Sequence, residues 1–244
     1  MSFFNYMPRV NYKFGNETTP DVFENIALYA DVIDQVKDNI SVYQDYYILP
    51  DERPDQVSFK LYDTTNYHWT FFLMNNNIRE RGWPLSNEKL FNFAKKEYDH
   101  TIIVTKAADL PNKFKVGETI TGLTSGVIAV IVHREINLGQ LWVEKTSLPF
   151  TNGEQLLSST GQTLTLDTSE IQYNSVHHYE DANGKWQDLG FELDGTRSDP
   201  AALWTPVTWL DRLIKSNNEL NKIRVIDKKI INKIVTSFRE AVAL

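Results

Sequence analysis

A chain of 244 residues, 41% hydrophobic and 12% aromatic, can bury the core of one large domain or two modest ones, which excludes a disordered protein. Its 32 acidic against 25 basic residues leave a net charge of -7, so it offers no broad positive field for a phosphate backbone and nucleic acid is not expected as a main partner. The absence of cysteine removes disulfides, thiol nucleophiles and thiolate metal sites, and fits assembly in a reducing cytoplasm.

The start of the chain, MSFFNYMPRV, has no basic region leading into a long apolar run, and no apolar stretch approaches the ~20 residues that span a bilayer. A soluble, unprocessed chain with no membrane partner is expected. Residues 1–45 read as an aromatic arm followed by a helix. Phe3, Phe4, Tyr6, Tyr12 and Phe14 show no period, whereas Val22, Phe23, Ile26, Ala27, Ala30, Ile33 and Val36 recur at helical spacing from Pro20 onward.

Residues 46–100 form the second region. Tyr46–Leu49 reads as a short strand. Pro54 suits the first turn of a helix, where its missing N–H is not needed, and Val57 and Leu61 share one face of that helix. Asp63–Asn66 is a capped turn. A second helix from Tyr67 points Trp69, Phe72 and Leu73 inward and ends at Asn75–Asn77, and a further helix is expected over Asn87–Tyr98.

From Thr101 the period changes to that of strands. Residues 101–170 are rich in Val, Ile, Thr and Gly, and they contain an internal repeat. The run from Phe114 through Gly117, Glu118 and Gly122 recurs from Phe150 through Gly153 and Glu154, 36 residues on, and each copy closes on a Ser/Thr-rich turn at Gly126 or Gly161. Two copies suit a small all-β module. Residues 171–244 are loop-rich at first, with a hairpin expected around Asp181–Gly184. They close on an apolar stretch, Leu220, Ile223, Val225 and Ile226, readable as strand or helix, and on a helix capped by Asp227 whose broad apolar face must be buried in the fold or against another chain.

Reactive constellations are scarce. None of His68, His100, His133, His177 and His178 sits in a zinc pattern, and adjacent His177 and His178 would face opposite ways on a regular strand. Glu118 and Glu154 hold matching places in the repeat and could form a glycosidase pair, but a repeated Gly-Glu turn reads more simply as a structural element. There is no phosphate loop and no Gly-x-Ser-x-Gly elbow. No catalytic residue, cofactor or metal is expected. Large rings usually go to the core. The residues assigned to partner contacts are Phe3, Phe4, Tyr6, Trp83, Trp204, Trp209 and Phe238.

Two resemblances follow from these residues. ERPDQVSFKLYDTTNYHWTFFLMNN resembles a LysM-type module, with strand, Pro-started helix, turn, and a Trp-bearing helix ending in Asn. Taken with Arg53–Pro54, Tyr67–Trp69, Leu73–Asn76 and the closing segment NNELNKIRVIDKKIINKIVTSF, the layout is similar to the baseplate wedge protein family of T-even-like contractile-tailed phages, whose member carries a LysM-like domain. About half of the chain takes part, and the β module has no clear counterpart.

The resemblance implies an α+β fold, with a LysM-like strand-helix-helix core, an N-terminal arm and helix, an inserted all-β module and a C-terminal helix. It implies a non-enzymatic subunit that clamps wedge proteins, contacts a sheath-initiator-like subunit and links adjacent wedges. Six copies per baseplate are expected, in the virion tail, after assembly in the host cytoplasm. The rival expectation is a LysM-type module that binds peptidoglycan or chitin through the loops 50–53 and 75–78. A tail-associated hydrolase using Glu118 and Glu154 is the third.

Overall fold

The computed structural model describes residues 9–16, 18–24, 43–105, 110, 112–189 and 203–243. The chain forms two compact units, Met1–Ser86 with Ser216–Leu244, and Asn87–Lys215.

In the first unit, β1 (Arg9–Tyr12) and β2 (Asp21–Glu24) pair as an antiparallel hairpin. The helix expected from Pro20 is therefore strand over Asp21–Glu24, and its remainder lies outside the described residues, as do Phe3, Phe4 and Tyr6. Val22 and Phe23 suit a pleated surface as well as a helix, and pairing against Val10 and Asn11 decides between them. Next, β3 (Tyr43–Tyr47) lies earlier than the strand read over Tyr46–Leu49. The Glu52 carboxylate accepts the Leu49 N–H at 2.8 Å, which turns the chain after Ile48.

The helix α1 (Pro54–Tyr62) starts as its sequence requires. Pro54 occupies the first turn, and the Gln56 side chain accepts the Arg53 N–H at 3.0 Å. It stops at Asp63, whose φ of 59° closes the last turn through a bond to the Phe59 carbonyl. Thr64 then caps a short 3₁₀ turn, and α2 (Trp69–Met74) and α3 (Asn76–Arg81) follow.

The apolar stretch at the C-terminal end is strand: β13 (Lys222–Ile226) runs antiparallel to β3, with Tyr47 opposite Lys222 and Tyr43 opposite Ile226. The Tyr62 hydroxyl donates to the Ile226 carbonyl at 2.9 Å and ties α1 to this strand. The last helix, α6 (Ile231–Ala243), follows a turn in which the Asp227 side chain accepts the Lys229 N–H. It packs Ile231, Val235 and Phe238 into one core with Val57, Phe71, Ile78 and Val225.

The second unit opens with α4 (Asn87–Glu97). It continues as a closed six-stranded barrel of β4 (Thr101–Thr105), β5 (Thr119–Gly122), β6 (Ile128–Glu135), β7 (Gln140–Val143), β8 (Gln155–Ser158) and β9 (Thr163–Ile171), in the order β4-β7-β6-β5-β8-β9. Closure leaves the barrel no free edge. Alternation on its strands sends Ile103, Ile120, Ile131, Leu141, Leu156 and Leu166 to a common interior.

The repeat is a pseudo-two-fold of this barrel. β5 and β8 pair antiparallel with Thr121 opposite its own repeat equivalent, Leu157. Matching bonds flank the pair. Gly117 and Gly153 donate to Ile131 and Leu166, and the Ile131 and Leu166 N–H groups return to Glu118 and Glu154. Both glycines take positive φ, 89° and 80°, which explains Gly at both sites. β4 stands beside β9 as β7 stands beside β6.

Beyond the barrel lie β10 (Val176–Glu180), β11 (Trp186–Gln187) and β12 (Thr205–Thr208), in the order β11-β10-β12, and then α5 (Trp209–Asn218). The hairpin expected at Asp181–Gly184 forms, with the Asp181 carboxylate accepting the N–H groups of Asn183 and Lys185.

Candidate functional site

Position 177 departs from regular strand geometry. The register of β10 against β12 shifts between Val176 and His178, and this bulge brings both imidazoles to one side with their Nδ1 atoms 2.9 Å apart. The expectation that His177 and His178 face opposite ways is thereby corrected. The hydrogen bonds then run in one direction. Arg212 can only donate, so His177 Nε2 accepts from its Nη1 at 3.0 Å, and the His177 proton sits on Nδ1 and is donated to His178. His178 Nε2 donates in turn to Glu180 Oε1 at 3.2 Å, an oxygen that also accepts from Lys215 at 3.0 Å.

Burial, the Arg212 charge and the neighbouring His178 push the His177 pKa down to about 4. An unfolded chain binds that proton near pH 6.5 and the native one only near 4. Stability of the second unit therefore falls as pH drops from about 6.5 toward 4 and is insensitive to this group above that window. Thermal melts across the range should show this slope, and His177→Gln should flatten it; an unchanged slope in the variant would refute the assignment.

The same side chains form one wall of a cleft of about 300 Å³. Three indoles, Trp142, Trp186 and Trp209, and the rings of His133 and His177 line it. Trp209 meets His177 at 4.3 Å and Trp142 at 5.4 Å, edge to face, and Trp186 stacks on His178 at 4.0 Å. Gln140, 2% exposed, lies at the base, and its Nε2 donates to the Val176 carbonyl at 2.8 Å, which fixes the orientation of the amide. Among the described residues its Oε1 has no partner, and neither do the buried Nε1 atoms of Trp142 and Trp209. A buried polar atom left unpaired costs roughly 1–3 kcal/mol, so such a cluster calls for an explanation.

The glutamates of the repeat behave differently from each other. Glu154, 4% exposed, accepts from Ser125 Oγ and the Thr151 N–H on Oε1, and from the Thr124 and Ser125 N–H groups on Oε2, at 2.7–2.9 Å. Burial raises its pKa, but these bonds, led by those from Ser125, hold it below the usual carboxylate value. Glu118 accepts from Thr160 at 3.2 Å. Each repeat's glutamate thus binds the turn that closes the other copy. Gly122 completes the fit, since a Cβ there would lie 2.7 Å from both Glu154 oxygens.

In the first unit Asn75 is a clip rather than a helix terminator alone. Its Nδ2 donates to the carbonyls of Phe71 and Arg224, both at 2.8 Å, and its Oδ1 accepts the Arg224 N–H at 2.7 Å. The loop after β3 is held as firmly: the Glu52 carboxylate takes Leu49, Tyr46 and Lys60, and the Glu52 carbonyl accepts the Trp83 indole at 2.6 Å.

Of the residues expected at partner contacts, Phe238 is core, 3% exposed and 5.2 Å from the Trp69 ring. Ile231 and Val235 of the same helix are buried with it in the core of the first unit. Trp83 is half-buried against Phe71 and Phe72, Trp204 is half-buried just before β12, and Trp209 joins the aromatic cleft. Trp142 and Gln140 were not anticipated. The alternation of Leu141 and Val143, both inward, does turn Trp142 outward, and that signal was readable. Among the described residues no group of three His, Asp or Glu could hold a metal, and no helix is long and apolar enough to cross a membrane.

Residues 2–104 match the family model described as base plate wedge protein 53, a span that covers the hairpin, β3 and α1 through β4. Over that span the chain is similar to baseplate wedge proteins, and the match supports a structural role in the baseplate of a phage tail. No curated protein matches the chain.

Proposed function

We propose that this protein is a non-enzymatic wedge subunit that clamps neighbouring wedge proteins, links adjacent wedges and helps to close a baseplate ring of six wedges in a contractile tail. The observation that carries the reading lies inside the family-matched segment. The β1–β2 hairpin exposes Val10, Tyr12, Phe14, Val22 and Phe23 at 42–59%. An isolated two-stranded hairpin is marginal in water, and five exposed apolar side chains on one are better suited to an interface than to solvent. Ring closure would multiply modest contacts through effective concentration. Phe3, Phe4, Tyr6 and Trp204 remain assigned to the same contacts, with a sheath-initiator-like subunit among the partners.

The paired strands β3 and β13, with the helices α1 to α3 between β3 and the end of the matched segment, support a LysM-like core put to use in protein contacts. A peptidoglycan-binding or chitin-binding module would need the loops 50–53 and 75–78 free to meet sugar. The Glu52 carbonyl and the Asn75 amide are committed inside the unit, whereas Pro50, Asp51, Arg53 and Asn76 are exposed, so the two readings are separated by experiment. The test is capture of the phage's other tail proteins by the purified chain, beside peptidoglycan sedimentation. Specific capture of wedge proteins is expected, falling at least tenfold when Tyr12, Phe14 and Phe23 are changed together to Ser. Sedimentation without capture would overturn the proposal in favour of the glycan module.

A further inference from the structure

We propose that Asn183 is a self-modification site, at which the chain's own backbone converts the carboxamide to a carboxylate and can reroute the main chain through it. This goes beyond the wedge role and does not depend on it. Asparagine is followed by glycine at two places in the sequence, Asn152–Gly153 and Asn183–Gly184. Glycine matters there because, without a Cβ, its amide nitrogen can approach the preceding side chain. The deprotonated Gly184 nitrogen attacks Asn183 Cγ, a C–N bond forms, and the side-chain nitrogen leaves as ammonia. Water then opens the cyclic imide. Cleavage at Cγ leaves aspartate at position 183, and cleavage at the main-chain carbonyl leaves isoaspartate, with the backbone running through Cγ.

The fold separates the two sites, although both asparagines are exposed. At Asn152 each reacting group is tied to the barrel strand β9: Oδ1 accepts the Ser169 N–H at 3.2 Å, and the Gly153 N–H donates to the Leu166 carbonyl at 2.9 Å. Bringing the two together means parting bonds to the wall of a closed barrel. Among the described residues the Asn183 carboxamide has no partner; its backbone N–H donates to Asp181 Oδ1 at 2.8 Å. The Gly184 N–H donates to the Asp181 carbonyl at 2.9 Å, inside the same turn, and the other bonds of Asp181, from Lys185 and Gln187, also stay within the hairpin. This turn leads into β11, a strand of two residues. Opening a hairpin tip costs less than opening a barrel, so the reacting groups meet more often at Asn183.

The product changes the fold locally. Isoaspartate lengthens the main chain between Asp181 and Lys185, and either product adds a negative charge beside Asp181. Turn length sets hairpin register, so the pairs Tyr179–Gln187 and Glu180–Trp186 loosen and Trp186 leaves its stack on His178.

The experiment ages the full chain at neutral and at mildly alkaline pH and follows it by peptide mapping with mass spectrometry, with an isoaspartyl methyltransferase to label isoaspartate. Conversion at Asn183 is expected to run about tenfold faster than at Asn152, a ratio equivalent to about 1.4 kcal/mol in the cost of opening. It should be faster at the higher pH, because the attacking nitrogen must be deprotonated. In chain unfolded by urea the two rates should converge. Asn183→Gln, whose longer side chain closes an imide far more slowly, should end conversion at that position and leave the rate at Asn152 unchanged. Hydrogen exchange at Trp186 and Gln187 should rise in the aged chain and not in the aged variant. Equal rates at the two sites in the folded chain, or a faster rate at Asn152, overturn the proposal, as does an intact Asn183 in folded chain after the unfolded chain has converted. Unchanged protection of β11 after full conversion overturns the change of register.

Discussion

Glu154→Ala is expected to destabilise the second unit by about 3 kcal/mol and to lower its melting transition by about 10 °C. The substitution removes the acceptor for three backbone N–H groups and one hydroxyl, all in a site 4% exposed. Without the carboxylate these buried donors lose the acceptor they share, so part of the barrel rim is expected to open to water. Glu118→Ala, at the matching place in the other copy, removes one longer contact and should stay within about 0.5 kcal/mol. Thermal melts with hydrogen exchange to localise the loss would check both. The pair also separates structure from catalysis. A glycosidase pair would make both glutamates essential to an activity and neither essential to the fold, so a Glu154→Ala variant as stable as the parent would remove the turn-binding account.

Asn75→Ala should cost the first unit a similar amount, about 3 kcal/mol, because one amide holds α2 to β13 through three hydrogen bonds at 2.7–2.8 Å. The effect reaches further than the site. β13 leads into α6, and α6 supplies Ile231, Val235 and Phe238 to the core, so loosening the clip exposes that whole face. Hydrogen exchange should rise across 222–238, and capture of wedge proteins should fall with it. Glu80→Ala, an exposed change on the neighbouring helix α3, should alter neither. Normal protection of β13 in Asn75→Ala would mean that strand pairing alone holds the unit closed.

Local chemistry was legible where neighbours in sequence are neighbours in space. Pro54 and Gln56 start α1, Asp181 and Gly184 make their hairpin, and the two Gly-Glu turns mark the β module in consecutive residues. Where two local readings were close in energy, the partner decided. Val22 and Phe23 fit helix or strand, and pairing with Val10 and Asn11 selected strand. Phe238 advertised an apolar face, and whether that face met its own chain or another depended on Trp69, far away in sequence.

The sequence by itself determined that this is a folded, cysteine-free, acidic α+β chain with a duplicated β element, and it pointed to the baseplate wedge family, to which residues 2–104 are similar. Tertiary structure alone decided that β13 closes the first unit against β3, that β4 and β7 seal the barrel, and that a bulge at His177 gathers two histidines and three indoles around one cleft. The reason is the range of the forces involved. Caps and turns form from groups a few bonds apart and leave their pattern in consecutive residues. Strand pairing, barrel closure and a one-residue slip of register depend on contacts between segments that only the finished fold brings together.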